Sequence, residues 1–226
     1  GSKMVLNQSE ALLKPFDTTD MVVIVAGVGN DAGTGVVASA AMLSKINATA
    51  VVTILLKPFG NISIFPALDA IVENSDTTIM FSRNQMRQLL PLSIATIEDL
   101  FIAEDEIVST VISGCIIGDT NNVCNIPLKA FRSNGISYIG IGNGPALKTG
   151  MNRALTCPLL EYSSIERATR ILAYFSIRHE KEVDNVREVL TMLRNQLNSN
   201  VEILQSIRID EGAGFCGVSL LATKLL

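Results

Sequence analysis

The sequence predicts an α/β fold whose first part is a parallel sheet. Met21–Val25 and Ala50–Leu56 are short, continuous apolar runs, which are typical of strands buried on both faces. Val36–Lys45 lies between them as a helix, and Pro66–Asn74 and Thr77–Phe81 continue the pattern as a second helix and a third strand. Because strands that alternate with helices are joined by crossover connections, this order predicts parallel pairing.

A long helix and a mixed sheet are predicted after this region. The stretch from about Ile94 to Ser113 has apolar residues at helical spacing, together with many acidic residues. The later elements are the strands Ile136–Gly142, Ile171–Ile177, Val201–Ile209 and Phe215–Thr223 and the helices Ala146–Leu155 and Glu182–Leu197. The turn residues Asp210–Gly214 predict that the last two strands form a hairpin.

Composition excludes several classes of function. The 226 residues are 48% hydrophobic with a mean hydropathy of +0.36, which suits a well-buried core. The net charge is −4 and no basic stripe is present, so we expect no nucleic-acid partner. The apolar runs are too short to span a bilayer and no leader peptide opens the chain, so we expect no membrane span and a cytoplasmic location.

Cysteine and histidine usage argues against a metal site. The four cysteines form no C-x-x-C pair, so we expect reduced thiols. His179 is the single histidine, which excludes a His-rich zinc site, and no nucleophile-elbow motif accompanies it. We therefore interpret His179 as a surface residue and expect no bound metal.

A glycine-bearing turn, Gly27–Gly35, follows the first predicted strand. A turn between a buried strand and a helix is where backbone N–H groups bind phosphate, and glycine permits close approach of a ligand. Its spacing matches neither G-x-x-x-x-G-K-[ST] nor a dinucleotide fingerprint. The alternative is that the glycines only allow tight packing of the strand against the helix.

Several motifs together resemble the tubulin/FtsZ superfamily. The run Thr19–Gly29 followed by Gly33-Thr34-Gly35 is similar to the T-D-M-V-F strand and A-G-M-G-G-G-T-G-T-G loop of FtsZ. Val51–Phe59 resembles the family's V-x-x-x-T-K-P-F strand, Gly140–Gly142 its glycine loop, and Cys157–Glu161 its S-P-L-L-E motif. The motifs occur in the family's order, so the resemblance covers nearly the whole chain.

The resemblance implies a division into three parts. Residues 1–93 would form part of the FtsZ-like nucleotide lobe, residues 94–118 the central helix and linker, and residues 119–226 the C-terminal α+β domain. The family's nucleotide lobe opens with another strand, a G-G-G-G-N type loop and two further β-α units, which have no counterpart here. A natural start within the domain, a cut chain and a cloning scar at Gly1-Ser2 all remain open.

The resemblance also implies which residues would contact a guanine nucleotide, if one binds. They are Gly27, Gly29, Asn30, Asp31, Gly33, Thr34 and Gly35 in the loop, and Phe101 and Glu106 on the long helix. Asp31 would place a carboxylate beside the phosphates, or Asn30 or Asp31 would cap the following helix. Glu106 would replace the acid that reads the base, or it belongs to a solvated acidic face. The family's charged F-E-G-K-R-R segment is replaced by Gly60–Phe65.

The catalytic loop departs from the family's N-x-D-x-x-D pattern. Asn122 matches its first residue, but Cys124 and Pro127 occupy the positions of the two acids. Asp119 is the only carboxylate between Glu106 and Glu161. A pair of acids that positions the attacking water cannot be formed there, so we predict no catalytic residues.

Taken together, the resemblance and these departures predict a degenerate FtsZ-like cytoskeletal protein. It would act by association with itself or with an FtsZ-like partner, with no required cofactor and at most weak binding of GTP or GDP. Its loop Gly118–Pro127 would then be an adhesive surface. The alternative is a fragment of a GTP-hydrolysing filament protein; an unrelated enzyme lacks a supporting acid–base pair or nucleophile.

Overall fold

The structure is a computed structural model. It describes residues 19–29, 31–47, 50–60, 65–90, 96–113, 131–132, 135–160, 165 and 167–223. These residues group into two compact units. The first holds the described residues of 1–84 and 127–137, and the second those of 85–126 and 138–224. The three-part division given by the resemblance remains a prediction.

The first unit is a parallel sheet with two helices. Its elements are β1 (Met21–Gly27), α1 (Asp31–Asn47), β2 (Ala50–Lys57), α2 (Phe65–Glu73) and β3 (Thr77–Ser82). β1 and β3 flank β2, and the first residues of β4 (Ile136–Gly144) pair with β3. All three pairings are parallel, which confirms the prediction.

β2 carries the core of this unit. Its residues from Ala50 to Leu56 are all buried, as predicted for a strand covered on both faces. On one face Leu55 belongs to a buried apolar cluster that joins β2 to α1 and α2. The other buried members are Val28, Val37, Leu68 and Ile71. The α1 helix contacts both β1 and β2, as expected for the crossover between them.

The prediction that β1 is buried on both faces is wrong. Five of its seven residues are only partly buried, and Val25 and Gly27 are exposed. Among the described strands β1 pairs with β2 alone, so it is the terminal strand of the described sheet. The apolar run of β1 therefore predicts its parallel pairing correctly, but it predicts more burial than the strand has.

The α1 helix begins earlier than predicted. It starts at Asp31, so Gly33, Thr34 and Gly35 lie in its first turn and not in a preceding loop. Glycine disfavours helix by about 1 kcal/mol relative to alanine, which is why the sequence placed the start at Val36. Packing of the helix on the sheet overrides this local preference.

The second unit is a mixed sheet with helices. After α3 (Arg83–Met86), its elements are α4 (Ile97–Thr110), β4, α5 (Leu147–Leu155), β5 (Arg170–Ile177), α6 (Val183–Asn195), β6 (Glu202–Ile209) and β7 (Cys216–Thr223). The strand order is β4-β7-β5-β6. β5 pairs in parallel with β6 and antiparallel with β7, which confirms a mixed sheet.

The predicted hairpin between the last two strands is wrong. β6 and β7 lie on opposite sides of β5, and Asp210–Gly214 leads the chain from one side to the other. Burial explains the placement. Every residue of β7 is buried, as a central strand requires, whereas β6 has an exposed and several half-buried positions. Turn residues report a reversal of direction but not which strand pairs next.

Glycines allow α5 to pack directly on β4. A Cβ on Gly140 would overlap the carbonyl oxygen of Ala154, and one on Gly142 would overlap that of Gly150. Both obstacles are backbone atoms, which a rotamer change cannot move. Here the segment that resembles the family's glycine loop serves close helix–strand contact.

The long helix is confirmed. α4 runs from Ile97 to Thr110 and continues as one wider turn to Ser113, which makes about five turns in all. A capping box starts it: the Asp99 backbone N–H donates to Thr96 Oγ1 at 3.1 Å, and the Thr96 N–H donates to Asp99 Oδ2 at 2.8 Å. These hydrogen bonds from Thr96 lower the pKa of Asp99.

Candidate functional site

The candidate site begins where β1 ends. Val28 is buried, and its N–H donates to the carbonyl oxygen of Leu56 at 3.0 Å, so the turn is tied to the end of β2. Gly29 has φ +153, and a Cβ there would lie 2.7 Å from Cγ of Pro58. The turn thus packs against the segment Lys57–Phe59, so glycine is required at position 29 for conformation and for space.

Gly27 differs from Gly29. It is exposed, and a Cβ there would meet nothing within 4 Å. Packing inside the protein therefore does not demand glycine at this position. Its backbone lies at the carboxyl end of a parallel strand, where ligands bind in open α/β sheets.

The first turn of α1 supplies the next predicted residues. Thr34 is 5% exposed, and the Gly35 carbonyl accepts a hydrogen bond from Ser39 Oγ at 2.9 Å. The backbone N–H groups of a first helical turn have no partner within the helix and favour anions. This turn is therefore the part of the first unit best suited to a phosphate. Asn30 and the Asp31 side chain lie outside the described residues.

The remaining predicted nucleotide contacts lie on α4 in the second unit. Phe101 is 46% exposed, and Asp105 and Glu106 are exposed one turn further along. Glu104 is buried, so the acidic residues of this helix do not share one environment. The exposed positions leave Phe101 and Glu106 accessible to a ligand.

Comparison with known proteins identifies relatives over almost the whole chain. The cell division protein FtsZ of Aquifex aeolicus (strain VF5) is 28% identical over 238 residues, covering 99% of this chain and 65% of that protein. The cell division protein FtsZ 1 of Methanocaldococcus jannaschii is 26% identical over 228 residues, covering 93% of this chain and 61% of that protein. This chain therefore spans less than two thirds of the length of either relative. No family model matches it.

Solved structures agree on the fold. An empty FtsZ dimer from M. jannaschii superposes with a TM-score of 0.85 at 24% identity, covering 98% of this chain and 68% of that one. CetZ from Methanosaeta thermophila superposes with a TM-score of 0.71 at 17% identity, covering 99% and 67%. The chain is similar in sequence to FtsZ proteins over almost its whole length, and it has the tubulin/FtsZ fold. At these identities the superpositions establish the fold alone.

The structure describes only some of the predicted site residues. Gly27, Gly29 and the first turn of α1 belong to one unit, and Phe101 and Glu106 to the other. The degenerate catalytic-loop positions Asp119, Asn122, Cys124 and Pro127 lie outside the described residues, as does the whole loop Gly118–Pro127. The roles assigned to all of these residues remain predictions.

The sequence also predicts that the chain has no membrane span and no bound metal. None of its helices is long and apolar enough to cross a bilayer. Across those same residues, no group of three His, Cys, Asp or Glu side chains is arranged to hold a metal ion. His179 is exposed, as interpreted from the sequence, and Cys157 and Cys216 are buried free thiols.

The FtsZ-like chain also has a polar cluster that the sequence did not reveal. Arg178 Nη2 donates to Glu182 Oε1 at 2.6 Å and to the carbonyl oxygen of Pro145 at 3.2 Å. The Arg178 backbone N–H donates to Glu182 Oε2 at 2.8 Å. The i, i+4 spacing of Arg178 and Glu182 was visible, but both residues lie between the end of β5 and the start of α6, so the pair did not stand out as a helical ion pair.

Cys216 completes this cluster as a donor and not as a nucleophile. Its Sγ lies 3.6 and 3.7 Å from the two carboxylate oxygens of Glu182. Burial raises the pKa of the Cys216 thiol, and the negative charge of Glu182 raises it further. The hydrogen bond from the Arg178 side chain lowers the pKa of Glu182. A protonated thiol is a poor nucleophile, and its contacts with Glu182 tie the segment after β5 to the start of β7.

Gly29→Ala should destabilise the FtsZ-like chain far more than Gly27→Ala. The first substitution strains the backbone and forces Pro58 to move, at a cost of about 1–3 kcal/mol. The second adds a methyl group in open space and should change stability by less than about 0.5 kcal/mol. Urea denaturation of both variants measures the difference, and equal midpoints would contradict the assigned packing role of Gly29.

Glu182→Gln should lower stability at neutral pH and reduce its loss in acid. The pKa of Glu182 is lower in the folded state than in the unfolded state. Its stabilising contribution is therefore complete above the unfolded pKa of about 4.3 and is lost as the pH falls through the folded value. Urea midpoints between pH 7 and pH 3 measure this. Glu188→Gln, at an exposed position of α6, is the matched control; the same pH slope in wild type and Glu182→Gln would exclude the effect.

Proposed function

We propose that this chain is a cytoplasmic, FtsZ-like cytoskeletal protein that acts by association with itself or with an FtsZ-like partner. It binds GTP or GDP weakly and does not hydrolyse GTP efficiently. The similarity to proteins named for cell division supports the cytoskeletal assignment. The FtsZ-like fold of nearly the whole chain supports the same assignment.

The proposed loss of hydrolysis rests on one observation. It is the amino-acid composition of the segment that resembles the family's catalytic loop. Between Glu106 and Glu161 the sequence has one carboxylate, Asp119. Positioning and polarising an attacking water requires groups that accept its proton, and neither a proline nor a thiol of ordinary pKa does this at neutral pH. Cys124 and Pro127 therefore make poor replacements for acids.

Weak nucleotide binding follows from the packing of Gly29 and from the negative charge of Asp31. Gly29 is committed to packing on Pro58, which leaves Gly27 as the glycine of this turn whose Cα faces open space. Asp31 is the first residue of α1, and the resemblance places a carboxylate at this position beside the phosphates, where it would oppose their charge. Two like charges about 4 Å apart repel by on the order of 4 kcal/mol at an effective dielectric near 20. The favourable interaction of phosphate with the helix N-terminus offsets only part of this repulsion.

Association through the first unit is supported by the exposure of β1. Val25 on this strand is 43% exposed, and the neighbouring positions are only partly buried. A terminal parallel strand presents unpaired backbone groups as well as apolar side chains, and both favour pairing with another chain. Covering a few hundred Å² of apolar surface contributes several kcal/mol at about 25 cal/mol per Å².

The competing function is that of a GTP-hydrolysing filament protein of which this chain is a part. The observation in its favour is the length of the relatives, of which the chain spans 65% and 61%. The two functions differ in what a longer chain would do. If missing segments cause the weak binding, a longer chain binds nucleotide tightly. If Cys124 and Pro127 cause the loss of hydrolysis, a longer chain still does not hydrolyse GTP.

Calorimetry with GTP and Mg²⁺ should show weak or no binding by the 226-residue chain. We expect no submicromolar dissociation constant, which would need about −8 kcal/mol or better. Asp31→Asn removes the opposing charge and should tighten whatever binding remains, whereas the exposed Asp184→Asn on α6 should not. Tight binding by wild type, together with steady phosphate release, would reject the proposed loss of GTPase function.

Sedimentation equilibrium should show self-association of the chain at tens of micromolar without nucleotide. A lysine at an edge position opposes strand pairing, so Val25→Lys should weaken association by at least about tenfold. Ile46→Lys, at a more exposed apolar position of α1, is the control and should leave association unchanged. A strictly monomeric wild type would show that this fold needs no cover for β1 and that the association argument is wrong.

A further inference from the structure

Strand β6 is the terminal strand of the described sheet in the second unit, and among the described strands it pairs with β5 alone. The Glu202 N–H donates to the carbonyl oxygen of Thr169 at 3.0 Å, and the Asp210 N–H donates to that of Ile177 at 2.7 Å. In a parallel ladder, alternate residues direct both their N–H and their C=O group to the same neighbour. The even-numbered residues of β6 therefore bond to β5, and the odd-numbered ones direct their backbone groups away from it.

Three of these odd-numbered residues, Ile203, Gln205 and Ile207, form an open backbone edge. Within the described part of the chain, no group donates to or accepts from their outward N–H and C=O groups. Val201 differs, because its N–H and its C=O both have partners inside the chain. The open edge is therefore short and begins at Ile203. An open edge of this kind favours pairing with a further strand.

The sequence of β6, EILQSIRI, suits pairing with a second copy of the same strand. Two identical edges related by a two-fold axis run antiparallel. With the axis at Gln205, Ile203 lies opposite Ile207 of the second copy, and Gln205 lies opposite Gln205. Each such pair of an antiparallel ladder exchanges two N–H···O=C bonds, so the three pairs of this register give six.

Charge selects this register over its neighbour. With the axis at Gln205, Glu202 lies opposite Arg208 of the second copy, and symmetry makes this contact twice. Opposite charges directly across an antiparallel pair are favourable, whereas like charges are unfavourable. Moving the axis by one residue, to Ser206, would place Glu202 opposite Asp210 of the second copy. The charges of β6 are therefore complementary to the same strand in the first register and not in the second.

The two charged side chains already have contacts within the chain. Glu202 Oε2 accepts from Arg170 Nε at 2.6 Å, and the Glu202 side chain is 50% exposed. Arg208 Nη2 lies 3.8 Å from Asp210 Oδ2. A carboxylate accepts several hydrogen bonds, and a guanidinium group has five N–H donors. The contact between copies therefore adds to these ion pairs and does not need to replace them.

We propose that β6 pairs antiparallel with β6 of a second copy, in the register that places Gln205 opposite Gln205 and Glu202 opposite Arg208. The backbone edge supplies the contact, and the charged pairs select the register. One pair of short strands buries little surface, so this contact is weaker than a standard interface. It belongs to the second unit and the β1 edge to the first, so either proposal can fail without the other. Two different contacts on each copy would extend pairs into longer assemblies.

Disulfide trapping of Gln205→Cys tests the pairing on the 226-residue chain. The register places the two Cα atoms at position 205 about 5.5 Å apart, which is within the range of a disulfide. With oxidised glutathione as the mild oxidant, we expect a crosslinked dimer to form at least about tenfold faster than for Ser199→Cys. Ser199 is an exposed residue just before β6 and is the matched control. The wild-type chain gives the background from its own cysteines, and gels run without reductant measure all three rates.

Charge variants in the Gln205→Cys chain test the register. Glu202→Lys places basic residues opposite each other and Arg208→Glu places acidic ones, so each variant alone should crosslink at least about fivefold more slowly. An equal mixture of the two, one carrying a size tag, should form the mixed dimer at the parent rate, because every charge then meets its opposite. Recovery in the mixture excludes misfolding as the cause of the loss, and circular dichroism checks each variant separately.

The possible results separate this contact from the β1 contact. Equal rates for Gln205→Cys and Ser199→Cys would show that β6 does not pair with itself and would overturn the proposal. Unchanged rates in both single charge variants, or no recovery in their mixture, would reject the register. A crosslink that persists when Val25→Lys is added supports a separate contact, whereas its loss would make it a by-product of the β1 contact and would reject the proposal.

Discussion

The first unit depends on the complete burial of one strand, β2. Its residues from Ala50 to Leu56 contact almost no solvent, so both of its faces and both of its edges must be covered. Its backbone groups are satisfied by parallel pairing with β1 on one side and β3 on the other. Its side chains are covered by α1, α2 and neighbouring apolar groups. This constraint brings the carboxyl ends of β1 and β2 side by side.

That juxtaposition gives the candidate site its shape. Because β1 and β2 end together, the turn at Gly29 meets Pro58 and the N–H of Val28 reaches the carbonyl of Leu56. The same arrangement leaves Gly27 open and presents the start of α1 beside it. The two readings of the glycine segment, tight packing and ligand approach, therefore apply to different glycines of one turn. Packing accounts for Gly29, and the proposed ligand contact rests on Gly27 and the helix start.

The charged groups of this chain differ from one site to another, and their charge determines which ligands each site would bind. A helix N-terminus attracts phosphate, and because the first residue of α1 is the acidic Asp31, the sequence predicts that its charge opposes that attraction. In the Arg178–Glu182–Cys216 cluster the opposite charges pair with each other, with Arg178 Nη2 2.6 Å from Glu182 Oε1, so the cluster contributes to the stability of the second unit.

The sequence by itself determined the order of strands and helices, the parallel pairing of β1, β2 and β3, and the long helix α4. These follow from local patterns, since a continuous apolar run or a helical period belongs to a single segment. The sequence placed the glycine segment after β1 correctly, but it could not divide the glycines between packing and ligand approach. That division depends on Pro58, which is remote in sequence from Gly29 and adjacent only in the fold.

Only the tertiary structure decided how completely β1 is covered, where α1 begins and which strand lies beside β7. The turn residues Asp210–Gly214 predict a hairpin, yet β7 lies on the far side of β5 from β6, because a strand whose residues are all buried is more stable at the centre of a sheet than at its edge. The Arg178–Glu182–Cys216 cluster likewise joins two residues of the segment between β5 and α6 to the first residue of β7. Strand pairing, burial and charge compensation are interactions between segments that are distant in the sequence. Their free energies therefore depend on which segments are adjacent in the fold, and a local sequence pattern does not contain that information.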